Sequence, residues 1–239
     1  MHFAAAGRVS IRHLSAMPWD TAPGIRGKTI IGAVGSLTLL ELSPGVPSSP
    51  ADHYHTREQI NVGWSGTIDV QVDDRHIPLT RGTSIVVPSN VVHVARNQTF
   101  APVTYFEFHI VRRPDLIPPF TPIAFPRAPT PVRLDPAAKI VMQHDFDKGP
   151  PVVAEGKRSA FTVRVIPSGG ALDVADNADE HFWYSLGGGT IVERNGARQT
   201  IDANSIVVIP PSSGAIRVTA RDKLTLLEFV VRPGGPASP

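Results

Sequence analysis

Residues 53–59 read HYHTREQ, and residues 82–97 read GTSIVVPSNVVHVARN. His53 and His55 are two positions apart, and on a β-strand such residues project from the same face because side chains alternate with a period of two. His93, on a later predicted strand, adds a third imidazole, and an amide or carboxylate soon after His55 adds an oxygen donor. Imidazole with oxygen ligands suits a single transition-metal ion. The two stretches therefore predict a mononuclear metal site built on β-strands.

The first stretch resembles the first motif of the cupin superfamily, which is His-x-His followed at fixed intervals by Glu and Gly. His53, His55 and Gly66 match this motif, and Gln59 stands where the family has Glu. Glu58 is the alternative ligand, but its spacing from His55 and from Gly66 fits the motif less well. The pattern is similar to a cupin subgroup in which Gln binds the metal, a subgroup that includes a uronate ring-opening cupin and cupin polyketide cyclases.

The second stretch resembles the second cupin motif, in which Gly, Pro, Gly, His and Asn recur at fixed intervals. Residues 82–97 match it, with Asn90 where the family usually has Gly. After Gly, Asn is the residue that best tolerates a turn with positive φ, so the turn is expected to persist. The resemblance implies one divalent transition metal (Fe, Zn, Ni or Mn) held by His53, His55, Gln59 and His93.

The composition is typical of a β-protein. The chain has 239 residues, of which 41% are hydrophobic, and it contains 20 Gly and 24 Pro. Strand-forming residues interrupted by Gly and Pro indicate many short strands and turns. The formal net charge is only +2, and no run of Lys and Arg is present, so we expect no nucleic-acid partner.

The sequence contains no cysteine, which fits a cytoplasmic protein without disulfide or thiolate chemistry. No apolar segment has the length of a membrane span or of a signal peptide, so we expect no membrane association.

The second half of the chain repeats the first. Gly66 corresponds to Gly188 and Pro88 to Pro210, both at an offset of 122 residues, and two further pairs of anchors lie at offsets of 121 and 124. An offset that changes so little indicates a tandem duplication with small insertions or deletions. With the cupin resemblance, this predicts an all-β bicupin, that is, two tandem double-stranded β-helix (jelly-roll) barrels.

The repeat, together with a stretch at 112–136 that contains eight prolines, divides the chain into four predicted segments. Such a Pro-rich stretch is extended and lacks donors for a β-ladder, so it is expected to act as a stiff linker. From the resemblance, we expect the arm at the N-terminus to pack on a partner subunit as a swapped strand in a homodimer. The predicted segments are an N-terminal arm at 1–27, a metal-binding cupin domain at 28–111, the linker at 112–136 and a degenerate cupin domain at 137–239.

The second barrel lacks the metal ligands of the first. At the offset of 122, the three histidine positions correspond to Ala175, Asn177 and Ala215, and only Glu180 and His181 remain as potential ligands. One imidazole and one carboxylate cannot build a closed site without further ligands. We therefore predict a structural role for the second barrel.

Glu107 and His109 share one face of the predicted last strand of the first barrel. If that face borders the cavity, they are candidate acid–base groups near the metal; if it borders solvent, they have no role in the site. Both orientations fit the sequence. Asn61 and Trp64 are further candidates for lining the cavity, although core packing explains Trp64 equally well.

The leading hypothesis is a metal-dependent enzyme that binds a small oxygenated metabolite, such as a sugar acid, a polyphenol or a polyketide-like compound. Because Gln59 is neutral, the site is more positive than with Glu, which favours an anionic substrate and Lewis-acid isomerisation, ring opening, cyclisation or elimination. The first alternative is an iron-dependent dioxygenase that cleaves a C–C bond or an aromatic ring with O₂. The second alternative is a non-catalytic bicupin that binds a metabolite.

Overall fold

Strands make up nearly all of the regular structure, as predicted. A computed structural model of the chain describes residues 2–3, 7–49, 51–110, 130–147, 152–193 and 196–232. Within these ranges the helical structure is a short 3-10 turn at Leu14–Ala16. No helix among the described residues has the length and apolar character of a membrane span. The predicted linker at 112–136 lies outside the described residues up to position 129.

The first barrel consists of two sheets that enclose an apolar core. The strands of the arm and of this barrel are β1 (His2–Phe3), β2 (Ser10–His13), β3 (Asp20–Ala22), β4 (Ile25–Ile31), β5 (Gly35–Leu42), β6 (Glu58–Ser65), β7 (Ile68–Val72), β8 (Arg75–Leu79), β9 (Thr83–Val87), β10 (His93–Arg96) and β11 (Val103–Ile110). The larger sheet has the order β1-β4-β5-β11-β6-β9, with β3 beside β4, and the smaller sheet has the order β10-β7-β8. Side chains of both sheets form one hydrophobic cluster between them.

The second barrel repeats this arrangement. The remaining strands are β12 (Val141–Gln143), β13 (Val153–Glu155), β14 (Ser159–Ile166), β15 (Ala171–Val174), β16 (Glu180–Ser185), β17 (Gly189–Glu193), β18 (Arg198–Ile201), β19 (Ser205–Ile209), β20 (Ile216–Ala220) and β21 (Leu224–Val231). One sheet has the order β13-β14-β21-β16-β19 and the other the order β15-β20-β17-β18. The order β14-β21-β16-β19 reproduces β5-β11-β6-β9, which confirms the predicted tandem duplication.

The two barrels exchange edge strands. The arm strand β2 pairs antiparallel with β19 of the second barrel, and β12 pairs antiparallel with β9 of the first. An unpaired sheet edge exposes a row of backbone donors and acceptors, and each exchanged strand covers such an edge. The sequence-based boundaries at 27 and 137 therefore differ from the observed pairing, since β2 joins the second barrel and β12 the first. In this single chain β2 pairs with the second barrel, and the packing of the arm on a partner subunit stays a prediction.

An aromatic core lies between the barrels. The rings of Phe108 and Phe182, from different barrels, have their centroids 5.2 Å apart at an interplanar angle of 65°. The rings of Phe108 and Phe229 are 5.3 Å apart, and those of Phe161 and Phe229 are 4.8 Å apart. Large aromatic side chains in such offset or edge-to-face contacts contribute strongly to packing. Strands β11 and β21 are therefore buried on both faces, one toward their own barrel and one toward the other.

A buried carboxylate of the second barrel contacts the first barrel. Glu180, the first residue of β16, is fully buried. Its carboxylate accepts hydrogen bonds from the backbone N–H groups of Ala33, Val34 and Gly35 at 2.6, 2.8 and 2.7 Å. A buried carboxylate is costly unless it is hydrogen bonded, and three donors satisfy it here. Glu180 thus fixes the turn between β4 and β5 against the second barrel.

The first barrel makes the equivalent contact in the opposite direction. Glu58, the first residue of β6, accepts hydrogen bonds from the backbone N–H of Lys157 at 2.7 Å and of Arg158 at 3.3 Å. The Ser159 hydroxyl also donates to the Glu58 carboxylate. We call Glu58 and Glu180 the reciprocal glutamates. They join the barrels through contacts between residues about 100 or more positions apart in the chain.

Replacing a reciprocal glutamate should destabilise the chain strongly. In Glu180→Ala, the buried backbone N–H of Gly35 and the partly buried ones of Ala33 and Val34 lose their acceptor, and we expect the free energy of unfolding to fall by about 3 kcal/mol. Urea unfolding followed by circular dichroism measures this change. The control is Glu41→Ala, which removes an ion pair with the half-exposed Arg26 and should cost much less, because solvent screens exposed pairs. Equal losses in the two variants would contradict the role of Glu180.

Candidate metal centre

Alternate residues at the entrance to β6 face a cavity in the first barrel. The cavity has a volume of about 570 Å³, and the odd-numbered residues that line it are His53, His55, Arg57, Gln59 and Asn61. This periodicity follows from the alternation of side chains in extended backbone. The even-numbered Glu58 points instead to the second barrel, where Lys157 and Ser159 hold its carboxylate. Of the two candidate oxygen ligands, only Gln59 therefore faces the cavity.

The backbone around the histidines is fixed by hydrogen bonds between the two motifs. His53 and His93 pair as an isolated antiparallel bridge, with N–H to O distances of 3.2 and 2.8 Å. Asn90 adopts φ of 64°, as predicted for a residue that replaces Gly at this turn, and its N–H donates to the carbonyl of His55 at 2.7 Å. The turn at Asn90 thus holds the segment with His55 next to the strand with His93.

These constraints bring the three predicted histidines together. One nitrogen of each of His53, His55 and His93 lies within 4.8 Å of the corresponding nitrogens of the other two. The ring centroids are 4.5 Å apart for His53 and His93, 4.8 Å for His55 and His93, and 5.7 Å for His53 and His55. Within the described part of the chain, this is the one group of three or more His, Asp or Glu side chains with metal-binding geometry.

The hydrogen bonds of His55 fix its tautomer. Its Nδ1 lies 2.8 Å from the carbonyl oxygen of Arg57. Because a carbonyl only accepts, Nδ1 carries the proton and Nε2 presents a lone pair toward the cluster. Burial, with the neighbouring His109 and His93, holds the pKa of His55 far below its usual range. His55 is therefore neutral, as a metal ligand must be.

His93 has the same arrangement. Its Nδ1 donates to the carbonyl of Val91 at 2.9 Å, whereas its Nε2 is buried with no hydrogen-bond partner among the described residues. Burial and the nearby His53 lower the pKa of His93 to about 3. A buried, unprotonated nitrogen without a partner is costly, and coordination of a cation would satisfy it. The donor set therefore fits a metal ion.

Gln59 directs its amide oxygen at the cluster. Its Nε2 donates to Oδ1 of Asn61 at 2.8 Å, and its Oε1 lies 3.3 Å from Nε2 of His55. Since His55 carries its proton on Nδ1, its Nε2 is an acceptor, and so is Oε1 of Gln59. No hydrogen bond can therefore join these two atoms. A cation shared between the two atoms would stabilise this arrangement, as in the predicted cage of three imidazoles and one amide.

Glu107 and His109 face the cavity rather than solvent. Both are buried, and Nε2 of His109 lies 2.5 Å from Oε1 of Glu107. The Tyr105 hydroxyl donates to the other carboxylate oxygen at 3.1 Å. The ring centroid of His109 is 5.5 Å from that of His55. The structure thus places a hydrogen-bonded imidazole–carboxylate pair beside the histidine cluster.

Two features of the cavity were not predicted. Arg57 lines it, although the period-two pattern that identifies His55 and Gln59 already places Arg57 on the same face. Residues of the arm strand β3 also line it, and no local signal in the sequence indicates this contact because it depends on the pairing of β3 with β4.

Trp64, a candidate for lining the cavity, lies elsewhere. Its ring is 5.7 Å from that of Phe106 and 5.2 Å from that of Tyr184, in the core between the barrels.

The second barrel has a filled interior at the corresponding place. Trp183 occupies the position equivalent to Asn61, and its indole N–H donates to Glu228 at 3.0 Å. His181 and Arg164 also bond the Glu228 carboxylate, at 3.0 and 2.7 Å. Burial alone would raise the pKa of Glu228, but the hydrogen bonds from His181 and Arg164 outweigh it and lower this pKa to about 2. His181 thus belongs to a closed polar cluster.

The metal assignment predicts a sharp effect at His93. In His93→Ala, loss of one imidazole should weaken binding of a divalent ion by more than about 100-fold. Elemental analysis and competition with a chelator measure the affinity. The matched control is His76→Ala, which changes an exposed histidine paired with Asp69 and should retain the metal. Unchanged affinity in His93→Ala would refute the site.

Because Glu228 is held ionised in the second barrel, the free energy of unfolding should fall at acidic pH. The pKa of Glu228 is about 2 in the folded state and near 4.5 for an unperturbed carboxyl. Its contribution is therefore complete above pH about 4.5 and is lost as the pH falls toward 2. The stability difference between the native chain and Glu228→Gln should shrink by roughly 1 kcal/mol between pH 7 and pH 3.5. Urea unfolding at both pH values measures it, and a constant difference would contradict the role of Glu228.

Comparison with known proteins agrees with the fold and the histidine cluster. Residues 38–109 match the family model for the cupin domain. AerE from Microcystis aeruginosa is 15% identical, with a TM-score of 0.65 over 90% of this chain and 96% of its own. Salicylate 1,2-dioxygenase from Pseudoaminobacter salicylatoxidans is 12% identical, with a TM-score of 0.70 over 95% of this chain and 82% of its own.

Oxalate decarboxylase from Lactobacillus farciminis is also 12% identical, with a TM-score of 0.67 over 94% of this chain and 86% of its own. At these identities the likeness concerns the fold. No curated protein sequence matches the chain. The cupin-domain match contains His53, His55, Gln59 and His93, and the structural similarity extends over both barrels. Residues 38–109 thus match a cupin domain that contains the candidate metal centre, and the chain as a whole has the bicupin fold.

Proposed function

We propose that this bicupin is a metal-dependent enzyme that converts a small oxygenated metabolite by isomerisation, ring opening, cyclisation or elimination. One observation carries the proposal. The three histidines and the Gln59 amide oxygen converge in the same cavity as the hydrogen-bonded pair of His109 and Glu107. A cation site next to an acid–base pair is the arrangement required for moving protons on an activated substrate.

The residues that would hold the metal are His53, His55, Gln59 and His93. Once bound, a divalent ion would supply Lewis-acid polarisation of a substrate carbonyl or hydroxyl group. Gln59 contributes no charge, so the cluster retains more of the positive charge of the ion than it would with a glutamate. This electrostatic balance supports chemistry that lowers the pKa of a bound, oxygen-rich substrate.

His109 is the group proposed to move the proton. Glu107 holds its Nε2 at 2.5 Å and is itself fixed by the Tyr105 hydroxyl. A carboxylate in this position stabilises the imidazolium that forms when the ring accepts a proton at Nδ1. The same group can return that proton to another atom of the substrate, as isomerisation and elimination require. Glu107 orients the imidazole and balances its charge.

The lining of the cavity supports an oxygenated ligand. Hydroxyl and amide groups project into it beside the histidines, and the Thr29 and Thr38 hydroxyls lie 3.0 Å apart at its wall. The other neutral polar groups at the wall are Thr21, Ser48, Ser49 and Asn61. Such groups can donate to and accept from hydroxyl and carbonyl oxygens, which suits a sugar acid, a polyphenol or a polyketide-like compound.

The first alternative is an iron-dependent dioxygenase that cleaves a C–C bond or an aromatic ring. The structural likeness to salicylate 1,2-dioxygenase supports it only at the level of fold. The second alternative is a bicupin that binds its metabolite without converting it. The three hypotheses differ in whether O₂ is consumed and in whether the ligand is released unchanged.

An anaerobic conversion assay separates these hypotheses. The chain, reconstituted in turn with Fe, Zn, Ni or Mn, is incubated with unsaturated sugar acids, 2-hydroxy ketones and catechols, and the products are analysed by NMR and mass spectrometry. A product of unchanged mass, or one that has lost water, formed without O₂ supports the proposal. A product that contains both oxygen atoms of O₂ and forms only in air would replace it with the dioxygenase. Binding without conversion would support the binding protein.

If His109 and Glu107 form the acid–base pair, replacing either should lower turnover without removing the metal. His109→Gln and Glu107→Gln should each lower kcat by about 100-fold or more, because proton transfer loses its carrier or the group that stabilises it. Both should retain the metal, since neither residue belongs to the proposed cage. His76→Gln, on the outer surface, is the control and should keep full activity. A His109→Gln enzyme with normal kcat and a full metal content would exclude His109 as the proton carrier.

We also propose a cytoplasmic homodimer as the working form of the enzyme. The absence of cysteine supports a compartment in which disulfides are not used. Sedimentation of the purified chain tests the dimer.

A further inference from the structure

Arg57 stands out among the residues of the cavity because of its charge. It lies between His55 and Gln59 on the face that carries the proposed metal ligands, and it is 8% exposed. Among the described residues that line the cavity, it is the one Lys or Arg. A guanidinium remains protonated in proteins, so a permanent positive charge lies beside the histidine cluster.

The position of Arg57 is imposed by its neighbours in the chain. Its carbonyl oxygen accepts the Nδ1–H of His55 at 2.8 Å, and the next residue, Glu58, is held by the second barrel. Arg57 immediately precedes β6, and with Glu58 held toward the other barrel, Arg57 lies on the side of the chain that lines the cavity. The charge is therefore built into the wall of the site rather than carried on a mobile surface residue.

A guanidinium at the wall of a ligand cavity has a defined chemical preference. Its planar set of N–H donors matches a carboxylate, which it binds through two parallel hydrogen bonds, and such charge-assisted bonds are stronger than neutral ones. The two carboxylates in the same lining are Asp20, on the arm strand β3, and Glu107, which is engaged by His109 and Tyr105. They disfavour a second negative charge on the ligand.

We propose that Arg57 binds the carboxylate of the substrate and thereby selects organic acids, above all monocarboxylates with a hydroxyl or carbonyl oxygen close to the acid group. With the carboxylate on Arg57, the adjacent oxygen lies on the side of the histidine cluster, and the carbon between them faces the same cavity as His109. This inference rests on the proposed function. Within the proposed substrate range it selects acids, such as sugar acids, and excludes neutral polyphenols and polyketides.

Binding of matched acids and amides tests the inference without any assay of turnover. The probes are 2-hydroxy acids from glycolate to gluconate, each paired with its neutral amide, and binding to the metal-loaded chain is measured by ligand-observed NMR. At least one acid should bind about tenfold or more tightly than its amide. In Arg57→Met that preference should disappear while the affinity for the amide stays the same. Arg57→Lys, which keeps the charge but not the planar fork, should retain part of the preference.

Controls separate this inference from the metal assignment. Arg217→Met removes an exposed arginine of the second barrel that pairs with Asp173, and it should leave acid binding unchanged. Metal content and thermal unfolding are measured for every variant, so that loss of fold is not taken for loss of binding. If the chain holds no metal, the proposed function fails, whereas a preference for acids that depends on Arg57 would still support its role. If the metal binds but no acid is preferred over its amide, or Arg57→Met keeps the preference, the role of Arg57 is refuted.

Discussion

The reciprocal glutamates impose the constraint on which the rest of the structure depends. Each of Glu58 and Glu180 begins a central strand of its own barrel and accepts hydrogen bonds from the other barrel. A buried carboxylate tolerates few alternative positions, because any displacement leaves it and its donors unsatisfied. Fixing Glu58 outward also fixes Gln59 inward, since side chains alternate along the strand. The contact that joins the barrels thereby also orients the side chains of the candidate metal centre.

Much of this architecture could be predicted because its signals are local or repeated. The two motifs place His53, His55 and His93 at spacings that the fold preserves, and the anchors at an offset of 122 residues reveal the duplication. The exchange of edge strands could not be predicted, because the pairing of β2 with β19 joins residues nearly 200 positions apart and leaves no pattern within either segment. The same holds for Glu58, whose partners lie about 100 residues downstream. Arg57 was not predicted either, although the period of two from His55 to Gln59 is a local signal that could have placed it in the cavity.

The two barrels share one fold but differ at the place that holds the candidate metal centre in the first. Glu107 and Glu228 occupy equivalent positions on β11 and β21. In the first barrel, small side chains and imidazoles leave a cavity next to Glu107. In the second, Trp183 fills the space, and Trp183, His181 and Arg164 satisfy the Glu228 carboxylate. A buried charge with all its partners inside the protein contributes to stability, whereas a charge that borders a cavity is available to a ligand.

Charge then distinguishes this cavity from a general metal pocket. A glutamate at position 59 would offset part of the charge of a bound cation, and Gln59 does not. Arg57, two positions earlier on the same face, adds a further positive charge. The Glu107 carboxylate is hydrogen bonded to His109 and Tyr105. Its negative charge therefore offsets the charge of a protonated His109 more than that of a bound cation. Under the proposed function, the metal ion and Arg57 would both add positive charge to the cavity, and an anionic ligand would offset part of it. The proposed affinity for such a ligand would then depend on residues 57 and 59 as well as on the metal.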